Sequence, residues 1–148
     1  MKPSRLKRVS RNYSAVQMLL TSDGIFERFR EGINKFNSFS FYECHDILED
    51  VWFDVRGPSR RFYQGLIHLA VGFYHILERE NPKGAISQLT KGLEKLSGFK
   101  PDFQGVELTQ LLEDVEKCLE NIRKESVSGF NSKLIPKIKF DVSQFREP

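Results

Sequence analysis

Residues 40–75 read SFYECHDILEDVWFDVRGPSRRFYQGLIHLAVGFYH and predict two consecutive helices joined at Gly57-Pro58. In the first helix, apolar residues recur at helical spacing. Ser40 and Glu43 match the capping-box pattern S-x-x-E at its start. In the second helix, apolar residues cover about half of the helix surface. Such a wide apolar face is typical of a central helix that contacts several neighbours.

The polar residues of the first helix form the pattern H-x-x-x-E-x-x-W, with His45, Glu49 and Trp52. His45 and Glu49 lie one helical turn apart and are therefore neighbours in space. A helical wheel places both at the border of the apolar face, whereas Asp46 and Asp50 are predicted to face solvent. We expect His45 and Glu49 to be half-buried when the helix packs.

A narrow polar stripe crosses the apolar surface of the second helix. Polar groups on a buried helix must find partners, or their burial costs free energy. We therefore expect the stripe to face the His45 and Glu49 edge of the first helix. Gly65 and Gly72 lie beside the stripe and predict close approach of another helix, because glycine weakens a helix by about 1 kcal/mol relative to alanine. The stripe consists of Arg60, Arg61, Gln64, His68 and His75.

Three further helices are predicted around this pair. Asp23 is a candidate N-cap for a helix that runs to about residue 36. Asn81-Pro82 opens a helix that ends near residue 96, and a last amphipathic helix is predicted over about 106–123. After Gly129 the sequence IPKIKF alternates and predicts an extended segment.

The predicted fold class is therefore all-α, a compact bundle of about five helices in a chain of 148 residues. Hydrophobic residues make up 39 % of the sequence and aromatic residues 12 %, a composition that supports a packed core. The predicted organisation is a basic N-terminal arm (1–22), a helical bundle domain (23–128) and an extended C-terminal tail (129–148).

The cellular setting is predicted from cysteines and apolar runs. Cys44 and Cys118 have no C-x-x-C spacing, which favours reduced, buried thiols in the cytoplasm. No apolar run reaches the roughly 18 residues of a membrane span. A homodimer that covers aromatic residues such as Phe53 and Phe103 is one alternative for a partner.

The arm, residues 1–22, carries five cationic side chains and no acidic one, while the net charge of the chain is +3. Such a segment can make weak, non-specific contact with nucleic acid or anionic lipid. It can equally be a solubilising extension, and its composition also suits an organelle transit peptide. These alternatives stay open at the level of sequence.

The run FYECHDILEDVW at residues 41–52, followed by QGLI at 64–67, resembles the bacterial and archaeal family called domain of unknown function 309. The resemblance extends from about residue 36 to 112 and implies a compact helical bundle. It also implies metal binding by the H-x-x-x-E-x-x-W motif. Asp46 stands where a glutamate is expected, and His68 stands where a glutamine is common. The family has no settled activity, so the catalytic residues and the enzymatic status stay unassigned.

The first chemical hypothesis is a metal site between the two central helices. Imidazole and carboxylate side chains ligate Zn²⁺, Fe²⁺ or Mn²⁺, and open coordination positions permit Lewis-acid chemistry. The predicted ligands are His45, Glu49 and His75. The residues predicted to line the site are Trp52, Arg61, Gln64 and His68.

Two alternatives use the same residues without a metal. In the first, the chain is a non-enzymatic structural or interaction domain, and the polar side chains form a buried hydrogen-bonded network between two helices. In the second, His45 is a general acid or base that Glu49 orients.

Overall fold

The computed structural model describes residues 24–125 and 129–148. The predicted arm and the proposed cap at Asp23 lie outside these ranges. Within them, the prediction of an all-α bundle is confirmed, and five α-helices follow one another. They are α1 (Ile25–Asn37), α2 (Phe41–Asp54), α3 (Arg60–Leu77), α4 (Pro82–Leu96) and α5 (Thr109–Glu125).

The remaining regular structure is short. Strands β1 (Asp102–Phe103) and β2 (Val106–Glu107) form an antiparallel pair between α4 and α5. Three 3-10 turns complete the described ranges, at Ser97–Phe99, Ser132–Leu134 and Val142–Gln144. Helix α5 therefore begins at Thr109, later than the predicted residue 106, because Val106 pairs with Phe103 and also bridges to Phe140.

Helix α3 lies at the centre of the bundle and packs against α2 and α4. Its glycines explain the closeness of α4. A β-carbon added at Gly65 would lie 2.6 Å from Leu96 Cγ, and one added at Gly72 would lie 2.6 Å from Leu89 Cδ2. The predicted close approach of another helix is thus confirmed, and that helix is α4.

The segment after residue 129 packs into the same hydrophobic core as the helices. Ile135, Ile138 and Phe145 are all buried there. The side chain of Asn37, at the end of α1, donates to the carbonyl of Ile138 at 2.9 Å and accepts from its N–H at 2.7 Å. The tail is therefore laid along the bundle and fastened to α1.

The N-terminus of α1 is capped by the tail. The carboxylate of Glu147 accepts hydrogen bonds from the backbone N–H groups of Ile25 at 3.1 Å and Phe26 at 3.0 Å. A negative charge at this position also interacts favourably with the helix dipole. No local sequence pattern predicts this cap, because the capping residue is 122 positions away from Ile25.

The start of α2 differs from the predicted capping box. Ser40 is the N-cap residue, but its side chain makes no capping hydrogen bond. Glu43 instead lies 3.9 Å from the Nζ atom of Lys35 on α1. The capping-box prediction is therefore wrong in its hydrogen bonds and right in the position of the helix start.

Other sequence predictions have clear outcomes. Cys44 and Cys118 are free and buried, as expected. Burial raises the pKa of both thiols, that of Cys118 to about 12.

Phe103, considered for a dimer face, packs against Phe62 in the same chain with ring centroids 4.9 Å apart. Among the helices within 24–125 and 129–148, none is long and apolar enough to cross a membrane.

Candidate functional site

The pairing of α2 with α3 determines which of their side chains can meet. At one end, the guanidinium of Arg60 lies 4.0 Å from the centre of the Trp52 ring, and its Nε donates to the Trp52 carbonyl at 3.2 Å. At the other end, the rings of Tyr42 and Tyr74 are 5.7 Å apart. The helices are thus antiparallel, so later residues of α2 face earlier residues of α3.

An open space of about 290 Å³, here called the polar groove, lies between α2, α3 and α4. On its α2 wall, His45 Nε2 lies 3.5 Å from Glu49 Oε2, and these side chains are 27 % and 33 % exposed. Across it, His68 Nδ1 hydrogen-bonds to Oε1 of Gln88 at 2.7 Å. The groove is lined by His45, Glu49, Trp52, Gln64, Ile67, His68, Val71 and Gln88.

His75 lines a different space. With Tyr74 and His45 it borders an apolar pocket of about 140 Å³ at the other end of the hairpin. Its Nδ1 atom is buried and has no hydrogen-bond partner within the structurally described ranges. His45 and Val71 lie at the junction and border both spaces, whereas Glu49 faces the groove.

The three predicted metal ligands therefore do not come together. In the part of the chain that the structure describes, no group of three His, Cys, Asp or Glu residues is arranged to hold a metal ion. The reason is the antiparallel register. Glu49 and His68 line the groove, while His75 is two turns further along α3 and lines the apolar pocket with Tyr42. The structure pairs His45 with Glu49, whereas His75 shares only the apolar pocket with His45 and does not line the groove with Glu49.

The residues predicted to line the site divide in the same way. Trp52, Gln64 and His68 line the groove, and Arg61 is exposed and does not. Sequence reasoning missed Gln88, which α4 contributes. The patterns of α2 and α3 alone could not have found it, because Gln88 reaches the groove from a third helix.

The predicted exposure of Asp46 and Asp50 is wrong. These residues are 8 % and 1 % exposed, and Asp54 follows one turn later on the same face of α2. We call Asp46, Asp50 and Asp54 the acidic stripe. Arg28 of α1 reaches Asp54 with an Nη1–Oδ2 distance of 2.7 Å. The helical wheel predicted the wrong exposure because it assigns burial to apolar residues only. This charged face of α2 is buried as well.

The groove contains one histidine whose titration is shifted. Burial disfavours the imidazolium of His68 and lowers its pKa from the usual 6.5, while the hydrogen bond to Gln88 opposes this effect and Lys91 and Lys95 add to it. The neutral ring is therefore the preferred form in the folded state.

This shift predicts how stability depends on pH. Because the unfolded chain binds a proton to His68 more readily than the folded chain, the stabilisation is present above pH 6.5 and is lost as the pH falls below that value. Urea unfolding at a series of pH values should show this loss in the wild type. The His68→Gln variant should lack that part of the loss. Identical pH profiles for the two proteins would contradict the assignment.

Comparisons with known proteins show which family the chain is similar to. The fold and groove define a small all-α bundle with an open polar site, and residues 29–88 match the sequence model of a family described as "Domain of unknown function (DUF309)". The matched span contains every residue that lines the groove. The resemblance predicted from the H-x-x-x-E-x-x-W motif is thereby confirmed.

Two relatives are themselves uncharacterised. The uncharacterised protein YpuF of Bacillus subtilis (strain 168) is 32 % identical over 99 residues, which are 65 % of this chain and 55 % of that protein. An uncharacterised protein of Aquifex aeolicus (strain VF5) is 27 % identical over 115 residues, which are 77 % of this chain and 34 % of that protein. The chain thus spans about half the length of the first relative and about a third of the second.

Proposed function

We propose that the chain is a binding domain whose ligand site is the polar groove. The observation that carries this proposal is the His45 and Glu49 pair, 3.5 Å apart and about one-third exposed on the groove wall. A carboxylate next to an imidazole offers a strong acceptor beside a group that can donate or accept. The ligand class that suits this pair is a small polar molecule with a hydroxyl or amino group.

The size and lining of the groove support this ligand class. Its volume of about 290 Å³ is near the lower end of small-molecule sites, which measure about 300–1,000 Å³. Trp52, Ile67 and Val71 supply apolar surface, while Gln64 and Gln88 supply amide groups. This combination of apolar walls and a few polar groups is typical of sites that orient a small ligand.

The competing idea of a purely structural network fits the geometry less well. A network that holds two helices together needs members that are buried and fully hydrogen-bonded. His45 and Glu49 keep about a third of their side chains exposed, and Arg61 is exposed. This partly exposed pair favours recognition of a molecule from solution over internal support.

Trp52 makes the proposal testable, because it is the single tryptophan of the chain and lines the groove. Polar fragments that carry a hydroxyl or amine beside a six-membered ring would be screened by tryptophan fluorescence. Glu49→Gln should weaken the hits about tenfold, since a hydrogen bond to a charged group contributes about 1.5–3 kcal/mol. Glu43→Gln is the matched control on the exposed side of α2.

Two results would overturn the proposal. One is binding of the fragments to Glu49→Gln with the same affinity as to the wild type. The other is a complete absence of fragments that alter Trp52 fluorescence.

A divalent metal ion is the second candidate ligand. The distance of 3.5 Å between His45 Nε2 and Glu49 Oε2 is compatible with two donors on one ion, each at about 2.0–2.2 Å. The ion would take its other ligands from water or from the bound molecule, so the affinity should be weak. Zn²⁺, Fe²⁺ and Mn²⁺ suit this donor set.

Titration with Zn²⁺ and Mn²⁺ separates the two candidates. Metal bound through this pair should perturb the ring-proton NMR signals of His45. Metal binding should be lost in the His45→Ala variant and retained in the His75→Ala variant. Metal content measured by mass spectrometry after dialysis gives a second readout. Equal metal loss in both variants would contradict the two-donor site.

A cytoplasmic location and a homodimer stay predictions from the sequence.

A further inference from the structure

The apolar pocket between α2 and α3 has the size of one aromatic ring. Its volume is about 140 Å³, close to the roughly 150 Å³ of an apolar protein cavity that takes up benzene. Its surface is almost entirely apolar, so a molecule that fits must be small and consist largely of carbon. The pocket is lined by Phe41, Tyr42, His45, Val71, Tyr74 and His75.

The aromatic side chains around the pocket favour a ring over an alkyl chain. The ring centroids of Tyr42 and Tyr74 are 5.7 Å apart, and the two ring planes are tilted by 46°. Tyr42 also lies 6.1 Å from the imidazole of His45, and Tyr74 lies 6.1 Å from that of His75. Tilted aromatic rings attract one another at centroid distances of about 4.5–7 Å. A ring bound in this space would therefore have aromatic partners on both helices.

One polar atom beside the pocket lacks a partner. Nδ1 of His75 is buried and makes no hydrogen bond with any residue of the ranges 24–125 and 129–148. The other edge of its ring faces α4, because a β-carbon added at Gly84 would lie 3.0 Å from His75 Cδ2. Nδ1 is therefore on the edge that is turned away from α4. A buried nitrogen without a partner costs free energy, which a ligand that pairs with it would recover.

The backbone of His75 is fixed by the junction of α3 and α4. Its carbonyl accepts a hydrogen bond from the Asn81 N–H at 3.0 Å. The side chain of Asn81 in turn caps α4 by accepting from the Gly84 N–H at 3.0 Å. A site whose residues are held in place before the ligand arrives has a smaller entropy cost of binding.

We propose that the apolar pocket binds a phenolic ring whose hydroxyl group pairs with Nδ1 of His75. A hydroxyl group both donates and accepts, so it can pair with this nitrogen in either tautomer of the imidazole. A carboxylate or an ammonium group would be a poor occupant, because burial of an ion in an apolar space costs free energy. A water molecule also suits the pocket poorly, since it needs about two to four polar partners.

The pocket adjoins the polar groove, because His45 and Val71 border both spaces. Glu49 follows His45 by one turn, which is about 6 Å along α2. A phenol with a short amine-bearing chain can therefore keep its ring in the pocket and place its ammonium group beside Glu49. Only this extension rests on the proposed function of the groove, and the ring site stands without it.

Affinities for phenol and toluene test the ring site, because the two probes share the ring and differ in the hydroxyl group. His75→Leu should weaken phenol binding about tenfold relative to toluene, since the buried hydroxyl group loses its partner. His68→Leu is the matched control, because it makes the same change on α3 at a residue that does not line the pocket. It should leave the ratio of the two affinities unchanged.

A second measurement needs no variant and covers the case in which His75→Leu fails to fold. The ¹⁵N signal of His75 Nδ1 in the wild type should move when phenol binds and should stay nearly constant with toluene. Bound phenol should also give nuclear Overhauser effects to the methyl groups of Val71. The ring site is overturned if both probes move the Nδ1 signal equally or if phenol makes no contact with Val71. It is also overturned if folded His75→Leu keeps the wild-type ratio of affinities.

Tyramine, a phenol with an aminoethyl chain, separates this inference from the proposed function. Glu49→Gln should weaken tyramine binding about tenfold, because a hydrogen bond to a charged group is lost, and should leave phenol binding unchanged. Equal affinity of tyramine for Glu49→Gln and the wild type would overturn the extension into the groove. Loss of phenol binding in His75→Leu would support the ring site in either case.

Discussion

Replacing Gly72 with valine is expected to lower the free energy of unfolding by about 3 kcal/mol, the upper part of the range for overpacking a close contact. A β-carbon at this position would lie 2.6 Å from Cδ2, 2.7 Å from Cγ and 3.2 Å from the backbone nitrogen of Leu89. The last contact matters most, because a backbone atom in the middle of α4 cannot move away as a side-chain end can. The valine must therefore separate α3 from α4.

Gly98→Val is the control for this experiment. A β-carbon at Gly98 would have no neighbour within 4 Å, so its cost should be much smaller. Gly72→Ala should fall between the two, since alanine recovers about 1 kcal/mol of helix propensity. Chemical denaturation of the three variants gives the comparison. Equal stabilities for Gly72→Val and Gly98→Val would show that α4 can move at no cost.

Phe29→Ala is expected to cost about 3–5 kcal/mol, the usual range for removing a buried phenylalanine. Phe29 is 0 % exposed, and its ring connects α1 to the tail. It stacks with Phe145 at 5.4 Å and meets Phe140 edge-on at 5.3 Å. It also contacts Tyr63 of α3 at 5.4 Å. Its removal should therefore weaken the attachment of the tail as well as the core.

Urea unfolding measures the loss, and hydrogen exchange at the Ile138 amide, which donates to Asn37, measures the attachment of the tail. Phe39→Ala removes the same atoms from a ring that is 36 % exposed and should cost much less. If Phe29→Ala left exchange at Ile138 unchanged, the tail would be held independently of this ring.

The sequence contains enough information to predict the positions of the helices and the pairing of His45 with Glu49. Apolar periodicity locates the five helices within residues 24–125, and the spacing of His45 and Glu49 places them together because four residues make about one turn. Gly65 and Gly72, two glycines within one apolar helix, are sufficient to predict a close helix contact. These features are local, and local spacing decides them.

The errors come from features that local spacing does not contain. The placement of His75 in the apolar pocket, while Glu49 lines the polar groove, depends on the register of two antiparallel helices, which a wheel of each helix cannot supply. The burial of Asp50 depends on what covers α2 from elsewhere in the chain. The cap on α1 depends on Glu147, which no search near Ile25 could find.

The cap that Glu147 provides for α1 affects folding during synthesis. Helix α1 leaves the ribosome before α2 to α5, yet the carboxylate that satisfies its leading N–H groups is added 122 residues later. Until then, Phe29 lacks the rings of Phe140 and Phe145. Contacts between such distant positions form slowly. Apolar surface that is still uncovered before they form can cause aggregation. The emerging bundle is therefore most vulnerable while its tail is still being translated.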